Sequence, residues 1–289
     1  MRILILGGDG MLGHQLLRQF HRNHEVRVTL RQDAWTYADY GLFHPDNACF
    51  GVDVRSTERL AEVFAEFRPE AVINAVGIIK QRSIAKESIP SLEINALLPH
   101  RLAVLCRMGA ARLIHLSTDC VFSGSKGGYT VEDIADAIDL YGRTKFLGEV
   151  HDDHCVTLRT SIIGLELARK KSLIEWYLAQ QGTIKGFVRA IYTGLTTMEM
   201  ARIIENVLTR HTDLSGVWQV ASQPISKYDL LCRLTGKLQR NDIRIIPDEQ
   251  FVCDRSLDGT RFAQRTGYIA PDWDAMLDEL ADRIRQRKA

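Results

Sequence analysis

Residues 3–13 read ILILGGDGMLG and indicate what kind of fold the chain adopts. The four leading apolar residues predict a central parallel strand that is buried on both faces. Glycines follow at positions 7, 10 and 13, and Leu12, Leu16, Leu17 and Phe20 then mark a helix. A strand, a glycine turn and a helix in this order predict a dinucleotide site. The glycines permit a tight turn and close approach of the main chain to a diphosphate, and the helix N-terminus offers free N–H groups.

The end of the second predicted strand, 26–30, bears on which dinucleotide binds. An acid at this place accepts a hydrogen bond from the 2′-OH of NAD, whereas a base pairs with the 2′-phosphate of NADP. Arg31 lies closer to the strand end than Asp33. The sequence therefore favours NADPH as the cofactor, with NADH as a second candidate. The alternative is that Arg31 is a solvated loop charge.

The rest of the first half alternates strands with helices. We predict strands at 71–76, 112–116 and 155–159, a short strand end at 51–54, and helices at 56–67, 91–108 and around 141–149, while 34–50 show no clean period and are expected to be a loop. This order predicts an α/β fold with a doubly wound parallel Rossmann sheet. Residues 1–163 are accordingly expected to form an NAD(P)-binding Rossmann domain.

The pattern changes after Gly164, where we expect a smaller C-terminal α/β substrate domain over 164–289. Its predicted elements are a helix at 172–181, strands at 186–193, 216–220 and 243–246, a helix from Ser226 to Leu234, and a final helix at 273–286; Pro247 is expected to end the third strand. A helix within 189–210 is expected to return to the first domain. The crevice between the two layers is a usual place for a substrate.

Two residues four apart suggest acid–base chemistry. Tyr141 and Lys145 share one face if their segment is a helix, and a nearby ammonium is expected to lower the pKa of the phenol. Thr118 follows the strand 112–116, at the carboxyl end where open α/β sheets bind ligands. A Tyr/Lys pair at this spacing is usually solvated helix surface, so its interpretation depends on the glycine turn. Together the two features predict proton transfer beside a dinucleotide.

Composition excludes several other classes of protein. The net charge of +1 gives no bulk attraction to nucleic acid or a membrane surface, and no apolar run reaches the length of a membrane span. The six cysteines contain no CxxC pair and predict reduced thiols in a cytoplasmic protein. The adjacent residues 151–154 (HDDH) are expected to form a solvated loop. Adjacent residues rarely converge on one ion, so we expect no metal.

The motifs together resemble the extended short-chain dehydrogenase/reductase family. They are GxxGxxG after the first strand, Asp53 after the third, Asn74-Ala75 at the fourth, Ser117-Thr118-Asp119 at the fifth and Tyr141xxxLys145. The segments STDCVFSG (117–124) and YGRTKFLGE (141–149) look most like the dTDP-4-dehydrorhamnose reductase branch. That branch usually has Tyr after Ser-Thr-Asp, where this chain has Cys120.

The resemblance implies roles for individual residues. Thr118, Tyr141 and Lys145 would be catalytic. With Arg31 added from the strand-end argument, the expected cofactor-binding residues are Gly7, Gly10, Met11, Leu12, Gly13, Arg31, Asp53, Val54, Ala75, Val76 and Gly77. The expected substrate contacts are Asp119, Val121, Phe122 and Arg255. For Arg255 the alternative is a surface ion pair with Asp254 or Asp258.

The resemblance also implies an activity. It is the NAD(P)H-dependent reduction of a nucleoside-diphosphate-linked 4-keto-6-deoxy sugar, which supplies activated deoxysugars for cell-surface polysaccharide. Two alternatives stay open: a sugar-nucleotide epimerase or dehydratase, and a non-catalytic NADP-binding regulatory subunit, since the β subunit of methionine adenosyltransferase belongs to the same branch. The expected partner is the nucleotide sugar, with no nucleic acid and no membrane, and a homodimer is left open.

Overall fold

A computed structural model describes residues 1–80 and 86–288 of the chain. Its strands are β1 (Arg2–Leu6), β2 (Glu25–Thr29), β3 (Ala48–Cys49), β4 (Ala71–Asn74), β5 (Arg112–Leu116), β6 (Cys155–Arg159), β7 (Ile162–Ile163), β8 (Gly182–Phe187), β9 (Ala190–Tyr192), β10 (Leu195–Thr196), β11 (Gly216–Gln219), β12 (Ile225–Ser226), β13 (Ile243–Asp248) and β14 (Cys253–Asp254). Seven of them form one sheet in the order β3-β2-β1-β4-β5-β6-β11, and every neighbouring pair in it is parallel.

The α-helices lie between these strands. They are α1 (Gly13–Phe20), α2 (Thr57–Phe67), α3 (Ser88–Ser91), α4 (Leu98–Met108), α5 (Leu140–Leu147), α6 (Leu173–Leu178), α7 (Thr197–Arg210), α8 (Lys227–Leu238), α9 (Thr260–Thr266) and α10 (Trp273–Lys288). A π-helical segment, Leu92–Leu97, joins α3 to α4, so the predicted helix at 91–108 is helical throughout but not regular. The serines at the start of two predicted helices cap them: Ser56 and Ser226 accept hydrogen bonds from the main-chain N–H groups of Arg59 and Asp229.

The central sheet is covered on both faces, which is why β1 is apolar at consecutive positions. Ile3 and Ile5 are buried in one apolar cluster together with the helices α1 and α7. Leu4 and Leu6 point to the opposite face and are buried in a second cluster with α2 and α4. Alternation of side chains across a strand therefore fills two separate layers. The predicted doubly wound parallel α/β fold is confirmed.

Four element predictions are wrong in detail. The third strand lies at β3, inside the predicted loop 34–50, and not at 51–54; a two-residue edge strand is too short to show a period. Residues 34–40 of that loop form a 3₁₀ helix. The predicted strand 186–193 is two strands, β8 and β9. Pro247 lies within β13 and does not end it, because β13 pairs with β8 alone and an edge strand tolerates the missing N–H group.

The smaller part of the chain is built from short sheets. β13 pairs with β8, β9 lies between β12 and β14, and β10 pairs with β7. Two elements after residue 164 lie with the first part instead: β11 extends the central sheet beside β6, and α7 shares the apolar cluster of β1 and α1. Among the described residues, no helix is both long and apolar enough to span a membrane.

Candidate active site

The glycine turn after β1 brings the main chain of the turn into close contact with the start of α1. Gly7 has φ +83°, which favours glycine, and a Cβ there would lie 2.9 Å from Cγ2 of Val76. A Cβ on Gly13 would lie only 2.1 Å from the carbonyl oxygen of Gly7, so α1 starts directly against the turn. Helix α1 has no side-chain cap at its N-terminus. Its N–H groups and the positive end of its dipole are therefore suited to a phosphate.

One cavity of about 530 Å³ follows the carboxyl ends of the central strands. It runs from the turn after β1, past the ends of β2 and β4, to the segment after β5. Every site residue predicted from the sequence lines it except Gly13, Val121 and Phe122. The structure thus brings the predicted cofactor, catalytic and substrate residues to a single site.

The three residues that do not line the cavity contribute to packing instead. Gly13 allows α1 to approach β1, as described above. Val121 and Phe122 are fully buried in a small apolar cluster with Tyr129 and Leu257. The ring of Phe122 stacks on Tyr129 with centroids 4.2 Å apart. The predicted direct substrate contact of Val121 and Phe122 is therefore not seen, because both side chains are needed to pack the segment that follows Asp119.

Arg31 and Asp53 lie at the end of the cavity beside β2. Arg31 is exposed and lines the cavity. Asp53 pairs with Arg55, whose Nη2 lies 2.5 Å from Oδ2 of Asp53. Hydrogen bonds from Arg55 lower the pKa of Asp53 to about 2, so this carboxylate is ionised at neutral pH. This end of the cavity therefore carries two guanidinium groups around one carboxylate.

An ion pair crosses the cavity at the glycine turn. Nη2 of Arg169 lies 2.8 Å from Oδ2 of Asp9, and both residues line the cavity. Asp9 belongs to the turn after β1, whereas Arg169 follows β7. Sequence reasoning missed this contact because the two residues are 160 positions apart.

Tyr141 and Thr118 form the centre of the cavity. Thr118 donates a hydrogen bond from Oγ1 to Oδ1 of Asp119 (3.1 Å) and accepts one from the main-chain N–H of Cys120 (3.1 Å). Burial raises the pKa of Tyr141 above its usual value, and hydrogen bonding with Thr118 opposes this shift. The expected lowering of the pKa of Tyr141 is therefore not found, because desolvation of the phenolate outweighs the favourable contacts.

Lys145 lies one turn along α5 from Tyr141. Its Nζ donates a hydrogen bond to the carbonyl oxygen of Leu116, at 2.6 Å. Burial lowers the pKa of Lys145 to about 8, while the charge of Glu149 acts in the opposite direction. The ammonium group is thus held at the end of β5. It binds the main chain there, whereas the sequence predicted an interaction with the phenol of Tyr141.

A second lysine contacts the tyrosine ring. Nζ of Lys80 lies 5.8 Å from the ring centroid of Tyr141 and 2.7 Å from Oδ2 of Asp139. Asp139 in turn accepts a hydrogen bond from the N–H of Gly142 and caps α5. Lys80 also lines the cavity, whereas Gln81 and Arg82, which continue the basic segment, lie outside the described residues.

A buried ion pair joins the elements that carry Thr118 and Tyr141. Arg159 donates two hydrogen bonds to Glu149, at 2.8 and 2.7 Å, and both side chains are almost inaccessible. Ser117 donates a third hydrogen bond to the same carboxylate. This network ties β5, β6 and the end of α5 together. No local pattern marks Glu149 or Arg159 as partners in the sequence.

Asn95 fixes another edge of the site. Its Oδ1 accepts a hydrogen bond from the N–H of Ile78 (2.9 Å), and its Nδ2 donates to the carbonyl oxygen of Ile78 and to Thr144. Asn95 lies in the π-helical segment before α4. Irregular turns of this kind are frequent at functional sites. Here the segment connects the loop after β4 to α5, which carries Tyr141.

Arg255 lies at the opposite end of the cavity from Arg31. Its Nε donates to the carbonyl oxygen of Phe122 (2.8 Å) and its Nη2 to that of Ser123 (3.1 Å). Asp254 and Asp258 are bonded instead to Ser256 and Thr260. The alternative of a surface ion pair with Asp254 or Asp258 is therefore not seen.

Three further residues line this end of the cavity and were not predicted: Tyr192, Lys227 and Cys253. Tyr192 lies on β9, Lys227 starts α8, and Cys253 starts β14. Each comes from a separate element of the smaller part of the chain. A tyrosine in a short strand or a lysine at a helix start carries no local signal of function.

One group of potential metal ligands is found among the described residues, at Asp152, His154 and Cys155. Its members have other partners. Nε2 of His154 lies 2.8 Å from the carbonyl oxygen of Ala103, and Asp152 pairs with Arg107. The group also lies away from the cavity, since none of its residues lines it.

Comparison with known proteins identifies relatives. Residues 1–285 match the family described as RmlD substrate binding domain. A probable low-salt glycan biosynthesis reductase of Haloferax volcanii is 30% identical over 155 residues, which are 52% of this chain and 48% of that protein. The methionine adenosyltransferase 2 subunit beta of Rattus norvegicus is 26% identical over 148 residues, or 51% and 41% of the two chains. These alignments thus span about half the length of the curated relatives.

Among solved structures, a dTDP-4-dehydrorhamnose reductase of Clostridium acetobutylicum superposes with a TM-score of 0.79. The superposition covers 99% of this chain and 100% of that one, at 23% sequence identity. At this identity the likeness shows the fold, including the smaller part after residue 164. The chemistry of the cavity depends on the residues that line it and not on the fold alone.

Proposed function

The chain belongs to the RmlD substrate binding domain family, and we propose that it is an NADPH-dependent reductase of a nucleoside-diphosphate-linked 4-keto-6-deoxy sugar. The observation that carries the proposal is the single cavity that joins the glycine turn, the Thr118–Tyr141–Lys145 group and Arg255. A dinucleotide and a charged sugar substrate both need such an extended site. The reductase described for the Clostridium acetobutylicum neighbour supports the same substrate class.

The cofactor would be held by the elements at the ends of β1, β2 and β4. The close approach at Gly7 and Gly13 and the uncapped start of α1 fit a diphosphate. Arg31, exposed at the end of the cavity, is placed to favour the 2′-phosphate of NADPH, with NADH as the weaker alternative. When bound, the nicotinamide cofactor supplies a hydride to the ketone carbon.

Tyr141 would act as the proton donor in this reduction. Its raised pKa keeps the phenol protonated at neutral pH, so the proton is available for the developing alkoxide. Thr118 is held by its hydrogen bonds with Asp119 and with the N–H of Cys120. Its hydroxyl would donate to the oxygen of the developing alkoxide or orient it. Lys80, whose Nζ lies 5.8 Å from the ring centroid of Tyr141, and Lys145, one turn along α5, would supply the positive charge that stabilises the phenolate as the proton leaves.

The substrate would lie between Asp119 and Arg255. A guanidinium offers a forked pair of donors that matches phosphate oxygens, and Lys227 adds a second cation at this end of the cavity. We therefore propose that the nucleotide diphosphate lies toward Arg255 and Lys227, with the sugar toward Thr118 and Tyr141. In domain terms, residues 1–163 would bind the cofactor and most of 164–289 the substrate, with α7 and β11 in the first unit.

The experiment that tests the proposal measures NADPH consumption by the purified protein with a panel of dTDP- and UDP-linked 4-keto-6-deoxy sugars, followed by mass spectrometry of the products. A product two mass units heavier than the substrate supports a reductase. An isomerised or dehydrated product without net NADPH use supports the epimerase or dehydratase alternative. NADPH binding without any turnover supports a regulatory role like that of the methionine adenosyltransferase 2 subunit beta.

A further inference from the structure

The hydroxyl group of Tyr192 is buried and has no hydrogen-bond partner. The residue is 6% exposed, yet it lines the cavity at the end that carries Asp119 and Arg255. Buried polar groups in folded proteins almost always have a partner, and leaving one unpaired costs free energy. An unpaired hydroxyl beside a ligand cavity is therefore best explained by a partner that arrives with the ligand.

Packing on several sides holds the ring of Tyr192 in place. Tyr192 ends β9, which pairs with β12 on one side and β14 on the other. Its ring packs against Trp273, with centroids 5.7 Å apart, and a Cβ on Gly194 would lie 2.5 Å from its Cε2 atom. The ring therefore has little freedom to turn its hydroxyl toward another protein group.

The charge of Asp119 acts electrostatically on this hydroxyl. Burial together with Asp119 raises the pKa of the phenol, so the hydroxyl is protonated and available as a donor. Asp119 is itself buried, with Oδ1 accepting the hydrogen bond from Thr118. Burial raises the pKa of Asp119, while the charges of Arg255 and Lys227 and the hydrogen bond from Thr118 act in the opposite direction. A donor and an acceptor thus line the same cavity.

We propose that Tyr192 is a specificity-determining residue that reads one hydroxyl group of the sugar. A sugar hydroxyl accepts a hydrogen bond from Tyr192 and at the same time donates one to Asp119, which a ketone oxygen is unable to do. Thr118 connects Asp119 to Tyr141, so the recognised hydroxyl lies on the sugar and not on the nucleotide. This inference rests on the proposed function and adds the feature of the substrate that the site selects.

The test compares Tyr192→Phe with Tyr177→Phe. Tyr177 is also a buried tyrosine, but its hydroxyl lies 2.8 Å from Oγ1 of Thr235 and it does not line the cavity. Tyr192→Phe should raise KM for the 4-keto sugar about ten- to a hundredfold, leave the Kd for NADPH unchanged, and melt at or above the wild-type temperature. Tyr177→Phe should melt lower and keep the wild-type KM, because it loses a formed hydrogen bond.

Two ligand controls locate the contact. The free nucleoside diphosphate, measured by calorimetry, should bind wild type and Tyr192→Phe equally, because it lacks the sugar. Among monodeoxy sugar analogues, one should bind the two proteins equally, since it lacks the hydroxyl that Tyr192 reads. An unchanged KM in Tyr192→Phe, an equal loss for the free nucleoside diphosphate, or a lowered melting temperature overturns the inference. A wild-type protein that binds and reduces no 4-keto sugar overturns the proposed function and this inference with it.

Discussion

The burial of Tyr141 bears on the proton transfer that we propose for it. Its pKa is raised because the phenolate would be formed in a desolvated place. A phenol that is reluctant to ionise is a poor base but remains a fully protonated acid at neutral pH. Reduction of a ketone needs such an acid, and the ammonium group of Lys80 beside the ring would then stabilise the phenolate after the proton has left.

Tyr141→Phe should keep the fold and the affinity for NADPH, because the ring and its packing remain. The rate of reduction should fall about 10²–10⁴-fold, which is the usual contribution of a positioned general acid. Steady-state kinetics with the substrate found above, together with a fluorescence titration of NADPH, give both quantities. Near-normal turnover by the variant would exclude Tyr141 as the proton donor.

The lowered pKa of Lys145 predicts that the stability of the cofactor-free protein depends on pH. Its pKa falls from 10.5 in the unfolded chain to about 8 in the folded one, because burial disfavours the charge. Between these values the unfolded state binds more protons than the folded state, so stability rises with pH. Below pH 8 both states are protonated and the effect is flat. The free energy of unfolding of wild type minus that of Lys145→Met should therefore rise from pH 8 to 10.5, by at most about 3 kcal/mol.

Denaturant titrations of both proteins at several pH values measure this difference. Taking the difference removes the titration of other groups, since they are common to the two chains. A difference that stays flat or falls with rising pH would contradict the burial of a titrating ammonium at this position.

Arg31 should decide between the two dinucleotides. It is exposed at the end of the cavity beside β2, and Asp53 is occupied by Arg55. Arg31→Ala should weaken NADPH tens-fold, because a charge-assisted phosphate contact contributes about 1.5–3 kcal/mol, and should leave NADH nearly unchanged. Arg22→Ala, an exposed arginine that does not line the cavity, is the matched control. Equal effects on both dinucleotides would remove Arg31 from the 2′-phosphate site.

At the scale of elements, the junction of β1 and α1 depends on close approach of two main-chain segments. Gly13→Ala would place a Cβ 2.1 Å from the carbonyl oxygen of Gly7, and a main-chain atom has little room to move. The variant should lose about 1–3 kcal/mol of stability and most of its affinity for NADPH. Gly236→Ala, in α8 with nothing within 4 Å, should instead gain about 0.5–1 kcal/mol. Thermal denaturation with and without NADPH measures both; equal behaviour of the two variants would refute the close-packing argument.

The sequence predicted those elements that repeat a period or carry a cap. β1, α1, α2 and β5 show continuous or periodic apolar residues, and Ser56 and Ser226 mark helix starts. β3 was not predicted because a strand of two residues is too short to show a periodic pattern of apolar residues. β13 was cut short because a proline usually ends a strand, and only its place at the edge of a small sheet permits Pro247 within it.

In the candidate site too, local sequence patterns were predictable and contacts between distant segments were not. The glycine turn, Thr118 and the Tyr/Lys spacing are local patterns, and all are visible in sequence. The Arg169–Asp9 and Arg159–Glu149 pairs and the unpaired hydroxyl of Tyr192 arise when distant segments fold together. Nothing in the neighbouring residues of any of them signals the partner.

At the scale of the whole molecule, the smaller part of the chain closes the end of the cavity that carries Asp119 and Arg255. The segment 254–258 forms main-chain hydrogen bonds with the loop after β5: the N–H of Asp254 donates to Gly124, and that of Tyr129 to Ser256. Arg255 adds bonds to the carbonyl oxygens of Phe122 and Ser123. The loop that carries Asp119 is therefore positioned by residues more than a hundred positions later in the chain.

Arg255 accordingly combines two roles that a variant should separate. Its Nε and Nη2 hold the loop, while its position in the cavity wall offers charge to a substrate diphosphate. Arg255→Ala should raise KM for the nucleotide sugar about ten- to a hundredfold, because a charge-assisted phosphate contact is lost. It should also lower the melting temperature modestly, since two partly buried carbonyl oxygens lose a hydrogen-bond donor. The Kd for NADPH should not change, because the dinucleotide turn lies at the other end of the cavity.

Arg244→Ala serves as the matched control, since Arg244 is an exposed arginine of β13 outside the cavity. Binding of the free nucleoside diphosphate, measured by calorimetry, separates the two roles of Arg255. A diphosphate contact predicts that Arg255→Ala weakens the nucleoside diphosphate as much as the whole nucleotide sugar. A loop that merely loses its support predicts a lower melting temperature with nucleoside diphosphate affinity intact, and that result would move the diphosphate site away from Arg255.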